Sequence, residues 1–188
     1  MFRLRLRHPR LFVATFGIIA AIAVAAVVIA SRGGGGSRPD YPYSVQTFED
    51  QGREHLPVGQ PYDFYDSDPP TSGPHSAQAA DWGVHAEAVP KEMQVHNLEH
   101  GGVTVLYDCS AGVPLDDVQC RELRDQLTAL VESNISKPKL VLMSPYAGME
   151  HRIALTAWRT LDTLDEFDAA RIQAFIDHYE RLFNPEGF

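Results

Sequence analysis

Residues 11–30 are twenty consecutive positions without a charged side chain, dominated by Ala, Ile and Val. As a helix, such a run extends roughly 30 Å, the thickness of a bilayer's hydrocarbon core. The apolar core of a cleaved secretory signal is shorter, about 7–15 residues, and ends at a small-residue cleavage site. Ala21, Ala23 and Ala25 leave cleavage open, and no Cys follows the run closely enough to accept a lipid. The expectation is an uncleaved, single-pass signal anchor that meets the lipid bilayer through residues 11–30. Arg3, Arg5, Arg7 and Arg10 precede the run, whereas Arg32 and Arg38 alone follow it closely. Basic flanks stay on the cytoplasmic side. Residues 1–10 are therefore expected in the cytoplasm, and everything after the span outside the cell membrane. Gly33 to Gly36, between Ser31 and Ser37, read as a flexible linker over residues 31–39.

The remainder, residues 40–188, has the length of one domain. It carries all 25 acidic residues against ten basic ones, a net charge of −15. A negative balance of that size argues against nucleic acid and against an anionic lipid surface as partners, and the sequence names no protein partner. Cys109 and Cys120 are the only cysteines, and both follow the apolar run. In an oxidising compartment they are expected to form a disulfide contributing roughly 3 kcal/mol if unstrained. A pair of thiolate metal ligands is the competing reading, but the spacing is unlike the short pairs that grip zinc.

The prolines between Tyr41 and His75, Pro57, Pro61, Pro69, Pro70 and Pro74 among them, leave no room for a helical period. This stretch reads as an irregular segment that wraps the domain, and Tyr41, Tyr43, Phe48, Tyr62, Phe64 and Tyr65 are expected to pack onto it. Val103 to Tyr107 predicts a buried strand, and Pro114 to Ser133 an amphipathic helix with Asp116 and Asp117 at its positive end. Leu140 to Met143 and Ile153 to Trp158 predict two further strands. A last helix starts at Asp165-Glu166, buries Ile172, Phe175, Ile176, Tyr179, Leu182 and Phe183, and ends at Asn184-Pro185. The order strand, helix, strand, strand, helix predicts an α+β fold: a small sheet with helices on one face, preceded by the irregular wrap.

Chemistry concentrates in four of the eight histidines, His75, His85, His96 and His100, which fall within 26 positions. If a helix starts near Pro90 and stops at Gly101, His96, Glu99 and His100 share one of its sides. His75, His96 and His100, with Glu99 or water, make a donor set suited to one zinc or copper ion, and His85 is a further candidate ligand. The competing reading makes these histidines buried hydrogen-bonding posts in a non-catalytic, tethered interaction module. A third reading takes His96-Asn97-Leu98-Glu99-His100 as the His-x-x-Glu-His motif of zinc hydrolases, with Glu99 as general base. Against it, Gly101-Gly102 leaves only a short helix. His55, His151 and His178 are expected to lie outside the cluster.

Pro69-Pro70-Thr71-Ser72-Gly73-Pro74-His75, Trp82-Gly83, and His96-Asn97-Leu98-Glu99-His100-Gly101-Gly102-Val103 form a recognisable series, completed by Ser144-Pro145-Tyr146 and Ala157-Trp158. The chain resembles a bacterial family of uncharacterised, membrane-anchored proteins, domain of unknown function 3105. The resemblance runs roughly from Pro61 to Tyr179. It implies a tethered outer domain and brings no established activity. Relatives often carry tyrosine at the position of His85.

Overall fold

The computed structural model describes residues 38–184. The expected membrane span, its basic flank, the glycine linker up to Ser37 and Pro185 lie outside the described residues. Among those described, no helix is long and apolar enough to cross a membrane. The described residues, 38–184, lie in one compact unit.

Six long elements build the framework. β5 (Val103–Tyr107) is followed by α2 (Asp117–Ile135), β6 (Val141–Pro145), β7 (Ile153–Ala157) and, after β8 (Thr160–Leu164), α3 (Ala169–Tyr179). A shorter helix, α1 (Lys91–Glu99), precedes β5, and the chain ahead of α1 contributes four two-residue strands. These are β1 (Gln46–Thr47), β2 (His55–Leu56), β3 (His75–Ser76) and β4 (Gly83–Val84). Six strands form one mixed sheet in the order β1-β8-β7-β5-β6-β4, and β2 and β3 pair separately. β5 is central, parallel to β6 on one side and antiparallel to β7 on the other. The short β1 and β4 close the two edges, so the wrap caps one open side of the sheet and the segment between it and α1 caps the other.

The main core lies on one face, where alternate strand residues point. Val103, Val105, Val141, Met143, Ile153 and Leu155 meet Leu123, Leu127 and Val131 of α2 and Ile172, Phe175 and Ile176 of α3. α2 is capped by Asp116, whose carboxylate accepts from the Val118 and Gln119 amides while the Asp116 amide donates to Gln119 Oε1. The disulfide between Cys109 and Cys120 ties the end of β5 to the first turn of this helix.

The mixed α+β architecture is as expected, with a modification to the one-face arrangement. The intervening strand residues Thr104, Leu106, Leu142, Ser144, Ala154 and Thr156 are also fully buried. Their cover is the wrap and its neighbours: Phe48, Tyr146 and Met149 pack with Leu106 and Ala154, and Ser144 Oγ accepts from the Val89 amide just ahead of α1. β5 and β7 are thus buried along both faces, which explains why they read as continuous apolar runs.

A second difference concerns Thr160 to Leu164. The last helix was expected to start at Asp165, directly after the third strand's loop; instead β8 forms a hairpin with β7, and α3 begins at Ala169. Asp162 concealed this strand, because its carboxylate points to the helical face. There it is 3% exposed and is satisfied by Arg171 Nε and Nη2 and by the Tyr41 hydroxyl. The wrap's aromatics pack as expected, with Tyr41 against Phe175 and Tyr179 and Tyr62 against Tyr65. Phe64 is the clearest exception and projects into solvent, and Tyr43 is also exposed although it touches Tyr41 and Arg171.

Candidate metal centre

α1 is an unusual helix, because polar residues fill most of its buried positions. Glu92, Gln94, His96, Asn97 and Glu99 are buried beside Val95 and Leu98. No apolar stripe explains that. Each of these polar groups has a specific partner instead, as buried polar groups require. Glu92 Oε1 accepts from the Tyr62 amide, and Gln94 Nε2 donates to the Val89 carbonyl. Asn97 clamps Ala80, accepting from its amide and donating to its carbonyl, both at 2.9 Å. Val95 and Leu98 pack on Trp158. Pro90 opens the helix, with its carbonyl accepting from Met93 and Gln94, and Gly101 at φ +82° turns the chain out of it.

The opposing wall is the parallel ladder of β2 and β3. The amide of His75 donates to the Glu54 carbonyl and that of Ala77 to the Leu56 carbonyl, which sets His55 opposite His75. The ladder and α1 bring four imidazoles and one carboxylate together. His75 Nε2 lies 3.0 Å from Glu99 Oε2, and His55 Nε2 lies 3.5 Å from the same oxygen. The His55 ring stacks on His96 at 5.1 Å, and the His75 and His96 rings meet edge to face at 5.0 Å. His96 Nε2 lies 3.0 Å from His100 Nε2. One ring nitrogen each of His55, His75 and His96 fall within 4.8 Å of one another.

The tautomers follow from the backbone. His75 Nδ1–H donates to the Gly73 carbonyl at 2.8 Å, and His96 Nδ1–H donates to the Ser76 carbonyl at 2.6 Å. A neutral ring that donates through Nδ1 keeps its lone pair on Nε2. Both Nε2 atoms therefore present lone pairs to the cluster. That of His75 faces a carboxylate oxygen, and two lone pairs so close need a proton or a metal cation between them. Burial pushes the His75 imidazole below its ordinary 6.5, against the Gly73 bond and the Glu99 charge, and the neighbouring His96 and His55 add to the fall.

Glu99 itself is 3% exposed, and a buried carboxylate without compensation is costly. Besides the two imidazoles, the Arg53 guanidinium approaches it, with Nε 3.9 Å from Oε1. The arrangement can therefore hold a proton or a borderline metal ion against one fixed negative charge.

Of the residues singled out from sequence, His75, His96, His100 and Glu99 lie together. His85 does not join them: its Nε2–H donates to the Asp81 carbonyl at 2.8 Å, and its amide donates to Met143 beyond the end of β4. His151 pairs with Asp165, and His178 Nδ1–H donates to the Pro39 carbonyl. His55 was expected outside the cluster and stands within it. Its signal was faint, a histidine in a segment already identified as packing on the domain, paired to His75 only through a non-local ladder. Arg53 was not singled out either.

The family described as protein of unknown function (DUF3105) matches residues 59–187. The chain belongs to that family. The matched range contains His75, His96, Glu99 and His100, while Arg53 and His55 lie just ahead of it. No curated protein and no solved structure matches the chain.

Proposed function

We propose that this member of the family is a membrane-anchored extracytoplasmic protein that binds one transition-metal ion, zinc or copper, through its histidine cluster. One observation carries the metal reading. Three imidazoles bring ring nitrogens within 4.8 Å of one another beside a buried carboxylate, and His75 and His96 are each oriented by an Nδ1–H bond to a backbone carbonyl. Metal-ligating histidines are held in that way, with the second ring nitrogen fixed so that the first presents its lone pair. Three imidazoles and one oxygen donor suit a borderline ion such as Zn²⁺ or Cu²⁺. Tetrahedral zinc with bonds of about 2.0–2.1 Å sets its ligand atoms roughly 3.3 Å apart, a small contraction from the present spacing. The exposed His55 side chain is the one free to make it.

Thermal melting of the full-length chain in detergent tests this reading. An ion bound by the folded state alone, at a hundredfold excess over its Kd, adds about 2.7 kcal/mol, or about 5–10 °C for a domain of this size. Zn²⁺ or Cu²⁺ should produce such a rise, a chelator should reverse it, and the double variant His75→Ala, His96→Ala should show none. A parent protein whose melting ignores both ion and chelator contradicts it.

A second reading is favoured by the Arg53 contact, which lets protein groups alone balance Glu99. In it, the cluster is a structural clasp fastening β2 and β3 to α1. It expects His96→Ala to lower the melting temperature equally with and without chelator. The hydrolase reading of His-x-x-Glu-His gains less support. α1 ends at Glu99, and that carboxylate faces His75 and His55 inside the protein.

The anchoring rests on the uncharged run at residues 11–30 and its basic flank. The Cys109–Cys120 bridge supports an oxidising compartment. A reporter fused after Phe188 should be active only in a form that works beyond the membrane. Activity of a cytoplasm-only reporter overturns the orientation.

A further inference from the structure

Resting on the metal reading above, we infer that the ion is exchangeable cargo, taken up and handed on through His55, with Arg53 as the cation that takes its place against Glu99. The three nearest imidazoles are not equivalent. His75 and His96 are 0% and 6% exposed, and each is pinned to a carbonyl. The His55 side chain is 47% exposed and is placed by ring contacts to His96 and His75. Its strand is two residues long, with Leu56 turned inward and His55 outward. Two ligands are thus rigid and buried, and the third stands at the surface on a short ladder.

Arg53, two residues earlier on the same edge, has a side chain 49% exposed. A divalent ion and a guanidinium beside one carboxylate repel each other, so loading the ion drives Arg53 outward. Its return when the ion leaves spares Glu99 from being buried without a counter-charge. Arg53 therefore lowers affinity and hastens release, the behaviour of a transfer site rather than of a permanent structural one.

The transfer step is a ligand exchange. An acceptor protein presenting an accessible imidazole or thiolate forms a bond to the ion with its lone pair while the His55 Nε2–metal bond breaks. No electron changes centre, and His75, His96 and Glu99 hold the ion until further acceptor ligands replace them.

The test follows zinc transfer from the loaded full-length chain to the chromophoric chelator 4-(2-pyridylazo)resorcinol. Associative exchange through an exposed ligand gives a rate that rises in proportion to chelator concentration, and Arg53→Gln should slow transfer and tighten affinity about tenfold. His55→Ala should weaken binding by about ten- to a hundredfold yet still fill with excess zinc, whereas His75→Ala should not fill. A transfer rate independent of chelator concentration overturns the inference and leaves the metal reading standing, as does His55→Ala losing zinc as completely as His75→Ala. A parent chain that takes up no zinc or copper overturns both.

Discussion

His55 stands opposite His75 across the parallel ladder of β2 and β3, so residues twenty positions apart present imidazoles to the same carboxylate, that of Glu99. The ladder does for this first pair of imidazoles what a helical turn does for His96 and His100. Each pair is fixed by backbone hydrogen bonds, and the two supports meet because Asn97, Glu92 and Gln94 fasten α1 to the segments around it.

Gly102 is where that fastening is tightest. A Cβ at this position would press into the Trp82 ring and lie 2.8 Å from the Asn97 carbonyl. The Gly102 amide donates to that carbonyl, so neither backbone can retreat without opening the end of α1. Gly102→Ala should destabilise the fold by about 1–3 kcal/mol, as overpacking does. Denaturant unfolding of parent and variant measures this, and an unchanged midpoint contradicts the packing described.

The ion pair behind the unexpected strand gives a larger effect. Arg171 reaches Asp162 through two guanidinium nitrogens, and Asp162 is almost fully buried on the helical face of β8. Arg171→Ala leaves that carboxylate with the Tyr41 hydroxyl and the Thr163 amide but no counter-charge, and breaking such a pair from one side costs about 3–5 kcal/mol. Asp162→Asn in the same background should recover part of the loss, because it removes the stranded charge. A double variant no more stable than Arg171→Ala would contradict this.

Acid sensitivity should trace to Asp108. Burial raises its carboxyl, but bonds from the Ser110 hydroxyl and amide and from the Gly148 and Met149 amides outweigh it, leaving the group below its ordinary 3.8. A carboxylate depressed in the folded state stabilises it fully above the unfolded value. That contribution fades as pH falls from 3.8 through the lower folded value. The parent should therefore lose melting temperature over this window more steeply than Asp108→Asn, which has no charge to lose there. Parallel curves for the two proteins would show that Asp108 is not the cause.

How much of this was legible in the sequence divides along local and non-local lines. β5, β6, β7 and α2 follow from apolar runs, periodicity and the acidic pair Asp116-Asp117, and their extents match within a few residues. α1 was bracketed by Pro90 and Gly101, and the proximity of His96, Glu99 and His100 follows from helical spacing. β8 was missed because Asp162 breaks the apolar alternation, and its partner Arg171 lies nine residues on, in the next element. His55 was missed because pairing across two-residue strands leaves no periodic trace. His85 shows the reverse error, since sequence proximity to the other histidines did not bring it to them.

Elemental analysis of the full-length chain, purified without a polyhistidine tag, loaded with Zn²⁺ or Cu²⁺ and desalted, tests the central claim most directly. The account predicts one equivalent of metal per chain in the parent and loss of that equivalent in His75→Ala, with His85→Tyr and His178→Ala unaffected. A parent without stoichiometric metal contradicts it, and so does a full equivalent retained by His75→Ala, His96→Ala.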